Sequence, residues 1–117
     1  YCCINAVLRD YARLGLLLAH DGNWRGRQII PAAWIEEATR VHAGQPQPDT
    51  GGYGYQVWIL AGEGRMFALR GVRGQAIYVD PTSRLVMVHT AIRKQARDPG
   101  VRETTALWQS LVRELGD

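Results

Sequence analysis

Apolar and polar positions change their period along this chain, and the changes mark its elements. Over residues 5–20 the apolar side chains of Val7, Leu8, Tyr11, Ala12, Leu14, Leu17 and Leu18 recur at the spacing of one helical face. Gly15 sits within that stripe, and Arg9, Asp10 and Arg13 fall on the other side. Asn5 is expected to cap this helix and Asp21-Gly22 to end it, with Asp10 and Arg13 forming a surface pair. His20 stands at the helix end, where a cation favours the dipole. A connector with two glycines, Gly22 to Ile30, leads to Pro31, which suits the first turn of a second helix over residues 31–41. Trp34, Ile35 and Ala38 are its expected inward face. Glu36 and Glu37 are adjacent and so lie at different azimuths, which excludes a paired acid/base role.

Residues 42–52, HAGQPQPDTGG, carry no apolar period and read as a loop. Strand-like alternation begins at Tyr53, with Tyr55, Val57 and Ile59 on one side and Gln56 and Trp58 on the other. Three further strands are expected at residues 66–69, 75–79 and 85–90. Short turns separate them, Glu63-Gly64 and Asp80-Pro81-Thr82-Ser83 among these, so they should form an antiparallel meander. Asp98-Pro99 should open a last helix whose face includes Val101, Thr104 or Thr105, Trp108, Leu111, Val112 and Leu115. The order predicts an α+β fold: an antiparallel β-meander of about four strands, two N-terminal helices and a C-terminal helix packed on it.

Length and composition narrow the picture. At 117 residues and 46% hydrophobic, the chain reads as a single domain over residues 1–117 with a buried core. No apolar run is long enough to span a membrane, and no basic-then-apolar leader is visible. The net charge of +3 comes from 14 basic against 11 acidic residues. The arginines are spread along the chain, with only Arg93, Lys94 and Arg97 close together, so they read as solvated face rather than a nucleic-acid surface. Cys2 and Cys3 are neighbours, which disfavours a disulfide between them, and they are expected to be small side chains, buried or partly buried.

Candidate chemistry is sparse. The serines are Ser83, in a turn, and Ser110, on the last helix face. Lys94 is the single lysine and follows Ala91 by three, so no Ser-x-x-Lys is present; no Gly-x-Ser-x-Gly occurs either. His20, His42 and His89 show no metal-ligand spacing, and no phosphate-loop or dinucleotide fingerprint appears. The sequence therefore assigns no catalytic residue, no metal ligand and no cofactor. The most distinctive stretch is Phe67 to Pro81, where Gly71 and Gly74 stand three apart between two strand-like runs and Arg70 and Arg73 interleave with them. Glycines so placed allow close backbone approach.

Several segments occur in a telling order: Asn5 to Gly15 (NAVLRDYARLG), Gly26 to Pro31 (GRQIIP), Tyr53 to Trp58 (YGYQVW), Arg70 to Gln75 (RGVRGQ) and Tyr78 to Pro81 (YVDP). Together they resemble the C-terminal part of serine hydrolases of the class C β-lactamase and penicillin-binding superfamily, in particular the esterase-like branch that includes 6-aminohexanoate-dimer hydrolases. The resemblance covers nearly the whole chain but only about the last third of such an enzyme. It implies a partial β-lactamase-like fold in which the nucleophilic Ser-x-x-Lys and the tyrosine motif precede the matched region. It also implies that Leu69, Arg70 and Gly71 stand where the family has its Lys-Thr-Gly strand, walling the cleft for a small ester or amide substrate. The departure from Lys-Thr-Gly counts against β-lactams. Arg73 and Gln75 would lie nearby and contact polar or anionic substrate groups.

In such folds the last strand is covered by a first strand from the N-terminal part. Here the edge of residues 85–90 is expected to pair with a second copy of the chain. A different reading is a free-standing oligomeric interaction or small-ligand-binding module with a pocket near Trp58, Arg70 and Arg73.

Overall fold

The computed structural model describes residues 4–44, 50–96 and 101–116. Tyr1, Cys2, Cys3, the middle of the proline-rich loop, Arg97 and the expected Asp98-Pro99 cap lie outside the described residues. The elements are α1 (Leu8–Ala19), β1 (Asn23–Trp24), β2 (Arg27–Gln28), α2 (Ala32–Ala38), β3 (Thr50–Tyr53), β4 (Trp58–Leu60), β5 (Phe67–Arg70), β6 (Ala76–Asp80), β7 (Leu85–His89) and α3 (Val101–Leu115). The fold is α+β, with an antiparallel sheet in the order β3-β4-β5-β6-β7 and a separate hairpin β1-β2.

Helix α1 begins later than the sequence suggests. Val7 is its N-cap, with ψ 154° and no side-chain cap bond, so Asn5 does not cap it. The preceding chain is instead held by Tyr11, whose hydroxyl donates to the Ile4 carbonyl at 2.5 Å. The helix stops as expected at Asp21-Gly22. Asp21 takes a left-handed φ of 50°, its N–H reaches the Leu18 carbonyl at 3.1 Å, and the Gly22 N–H reaches Leu17 at 2.8 Å. These two bonds satisfy carbonyls that the helix end leaves open. Arg65 closes on the Asp21 carboxylate and ties the β4–β5 loop to this corner, while Arg13 pairs with Asp10 on the outer face of α1.

Helix α2 is also shorter than expected, with Pro31 at its N-cap rather than inside it. Its buried residue is Ile35, and the buried C-cap Thr39 donates its hydroxyl to the Ile35 carbonyl at 2.9 Å. Trp34, expected inward, is 55% exposed and packs its ring against Tyr55 instead. The strand expected from Tyr53 is broken in two. Gly54 donates to the Val57 carbonyl at 2.9 Å, and Gln56 takes a positive φ of 60°. This tight turn folds β3, which reaches back into the expected loop, against β4.

Alternation along β5–β7 builds two apolar layers, one on each face of the sheet. Phe67, Ile77 and Val79 pack with Ala19, Tyr11 and Leu18 from α1. Ala68, Ala76 and Tyr78 pack with Trp108 and Val112 from α3. Every residue of β6 is therefore buried, as expected for a central strand covered on both faces. Gly15 sets the distance between α1 and the sheet. A Cβ there would lie 2.4 Å from Val86 Cγ1 and 3.0 Å from Ile77 Cγ2, so any side chain at this position has to displace the helix or Val86. The turn after β6 follows the sequence: buried Asp80 accepts from the Thr82 N–H at 2.9 Å and from the Ser83 hydroxyl at 2.6 Å.

Candidate functional site

The β5–β6 junction carries the residues singled out in the sequence. Leu69 and Arg70 are the last two residues of β5, and Gly71 to Gln75 form the turn into β6. Pairing with β4 takes in Phe67 and Ala68, whereas pairing with β6 continues through Leu69 and Arg70. The end of β5 thus runs past the end of β4, and the turn projects beyond the sheet. Leu69 points to the α1 side and packs on that core.

The turn is braced from inside. Gly71 donates to the Gln75 carbonyl at 2.8 Å, and Gly74 donates to the Gly71 carbonyl at 3.3 Å. Gly74 has φ 95°, and a Cβ on it would lie 2.6 Å from Arg93 Nε; both facts require glycine. The Gly74 carbonyl accepts from His89 Nδ1 at 2.9 Å, which fixes the ring tautomer with its proton on that nitrogen. Gln75 folds back so that its Oε1 accepts from the Arg73 N–H at 3.1 Å.

Two arginines expected to face substrate make contacts within the chain. Arg73 Nη1 donates to the carbonyls of Arg93 at 3.1 Å and Lys94 at 2.5 Å, and the Arg93 N–H returns to the Arg73 carbonyl at 3.0 Å. Arg70 lies over the Tyr78 ring at 5.7 Å and reaches Thr105 Oγ1 at 3.4 Å. A third guanidinium, that of Arg93, donates to Thr104 Oγ1 at 2.9 Å. Arg93, Thr104 and Thr105 were not singled out in the sequence. Arg93 shows there only as part of a short basic run, and the threonines only as positions on the face of the last helix, since their role depends on α3 lying beside the turn.

The structure therefore brings Leu69, Arg70, Gly71, Arg73 and Gln75 to one end of the sheet and adds a cationic rim around them. Between Arg70, Gly74, Arg93 and Thr104 lies a pocket of about 20 Å³, room for a single water and too small for an organic ligand. Trp58 is not among the residues that line it. The hydroxyl groups lie elsewhere. Ser83 donates to Asp80 in the β6–β7 turn, and Ser110 is half-buried on α3. His42 donates from Nε2 to the Glu37 carbonyl at 2.8 Å and stacks on Tyr55, with ring centroids 4.3 Å apart. Among the described residues no group of three His, Cys, Asp or Glu side chains gathers as a metal site, and no helix is long and apolar enough to cross a membrane.

This chain is similar to one part of a larger hydrolase. A structure described as "Putative 6-aminohexanoate-dimer hydrolase from Bacillus anthracis" superposes with a TM-score of 0.71 at 30% identity over 93% of this chain. The match covers 29% of that chain, so the present sequence spans less than a third of its length. It is one of 28 chains of known structure found to be similar. No family model matches the sequence, and no curated protein matches it.

Proposed function

We propose that this chain is the C-terminal portion of a serine hydrolase acting on small esters or amides, and that it supplies one wall of the substrate cleft. The observation that carries this reading is the match to a hydrolase over nearly all of this chain, at 30% identity, but over only 29% of the hydrolase. In this reading the end of β5 and its turn form the wall. Leu69, Arg70 and Gly71 line it with backbone, and the guanidiniums of Arg70 and Arg73 set a positive potential beside it. Such a wall can align an extended substrate and place donors near a developing oxyanion. Gln75 and Arg73 act mainly by holding the turn in shape, since both already bond within it.

The nucleophile belongs to another part of the protein. Ser83 is engaged by a buried carboxylate in a turn, Ser110 lies on the last helix, and neither is followed three residues later by lysine. The chain alone should leave p-nitrophenyl acetate and nitrocefin unchanged and should take up no fluorophosphonate. Turnover that disappears in Ser83→Ala or Ser110→Ala would overturn the reading.

A further inference from the structure

We propose that His89 is a positioning residue for the cleft wall: its ring fixes the Gly74 peptide and, through it, the backbone that the proposed hydrolase presents to its substrate. The inference rests on the reading of the β5–β6 turn as that wall. Every bond it uses lies within the described residues, between the turn and the chain that leaves β7. His89 is the last residue of β7 and stands opposite Ala76 in the β6–β7 register, which brings its side chain beside Gly74, two residues before Ala76. The ring is half-buried there, and its Nδ1 donates to the Gly74 carbonyl at 2.9 Å.

The bonds of the turn fall into two sets. An inner set holds its amides: Gly71 donates to the Gln75 carbonyl, Gly74 to the Gly71 carbonyl, and Arg73 to Gln75 Oε1. An outer set ties the turn to the end of β7 and the chain beyond it. His89 takes the Gly74 carbonyl and the Arg93 N–H takes that of Arg73, while the Arg73 guanidinium returns to the carbonyls of Arg93 and Lys94. Arg73 is thus held by both its side chain and its carbonyl, whereas among the described residues the Gly74 carbonyl is held by the His89 ring alone. Gly74 has to be glycine because the Arg93 side chain crosses over it. A residue without a Cβ has little conformational preference of its own, so the direction of its carbonyl has to be set by a partner. Gln75 comes next, and its carbonyl and side chain carry the Gly71 and Arg73 amides. Rotation of the peptide between Gly74 and Gln75 therefore loosens both amides and shifts the wall. Asparagine at position 89 would offer an N–H at the same place, one bond beyond Cγ, whereas leucine would offer similar bulk and no donor.

Hydrolysis kinetics and amide exchange on the natural polypeptide that contains this chain test the role together, with p-nitrophenyl acetate as substrate. His89→Leu should lower kcat by about fivefold or more and change KM by less than about twofold, because a displaced wall loses alignment in the transition state rather than binding. Exchange of the amides over residues 70–76 should quicken by about fivefold, the loss of one hydrogen bond. His89→Asn should bring both readings back toward those of the parent. Leucine and asparagine variants that match each other in kcat and in exchange would overturn the proposal, because the ring would then only fill space. Faster exchange with an unchanged kcat would overturn it too, because the turn would not position the reaction. Fluorophosphonate labelling keeps the two failures apart. A polypeptide labelled on a Ser-x-x-Lys serine whose kcat ignores position 89 overturns this inference and leaves the hydrolase reading standing. A polypeptide with no labelled serine overturns the hydrolase reading, and this inference with it.

Discussion

Gly15→Ala sets two well-characterised effects against each other and shows whether α1 sits on the sheet as described. In an isolated helix the change would stabilise by about 0.8–1 kcal/mol, because glycine loses more backbone entropy than alanine. In this fold the added methyl would fall 2.4 Å from Val86 Cγ1 and 3.0 Å from Ile77 Cγ2, with Val86 Cγ2 at 3.4 Å. Carbon atoms prefer a separation of roughly 3.5–4.0 Å, so the helix must move outward by about 1 Å or Val86 must rotate. Rotation offers little relief, since both methyls of this β-branched side chain are close and its rotamers are few. Overpacking of this kind costs about 1–3 kcal/mol. The balance is a net loss of about 1 kcal/mol, or about 3–6 °C in Tm for a domain of this size. Urea unfolding followed by tryptophan fluorescence, with unchanged m, reads the difference. Val86→Ala opens the space, so Gly15→Ala/Val86→Ala should be less destabilised than the sum of the single changes. A Gly15→Ala variant about 1 kcal/mol more stable than the parent, as helix propensity alone dictates, would refute the packing.

Trp108 and Gly74 offer independent checks. Trp108 is 1% exposed, stacks near Tyr78 and has no hydrogen-bond partner for Nε1 among the described residues. Trp108→Ala should cost about 3–5 kcal/mol, whereas Trp108→Phe should cost less than about 1.5 kcal/mol, because it also removes an unsatisfied buried donor; equal losses in chemical denaturation would contradict that placement. Gly74→Ala forces a side chain into a positive φ and against Arg93, so it should cost about 1–3 kcal/mol and speed exchange of the Gly71 amide. A neutral Gly74→Ala with unchanged exchange would mean that the turn is not held as described.

Much of this architecture was legible because it is written in local patterns. The alternation of residues 75–79 and 85–90 and the Asp80-Pro81 turn fix β6, β7 and their connection, and Asp21-Gly22 marks the end of α1. The departures arise where a distant contact decides the outcome. Asn5 has the right chemistry for a cap, but the Tyr11 hydroxyl holds the chain extended through Val7. Trp34 has the hydrophobicity of a core residue, yet its ring finds Tyr55 at the surface. The alternation across Tyr53 to Ile59 gives no hint of a reversal, because Gln56 is not a residue that usually marks a positive φ. At the candidate site the glycines and arginines were visible. Their mutual bracing was not, since it depends on Arg93, Lys94 and α3 arriving beside a turn some 20 residues earlier in the chain.

Mass spectrometry of the natural polypeptide after fluorophosphonate labelling addresses the hydrolase reading most directly. The expected result is a polypeptide in which a Ser-x-x-Lys segment precedes Tyr1 and in which the probe is attached to that serine. A polypeptide lacking such a segment, or a label found on Ser83 or Ser110, would contradict it.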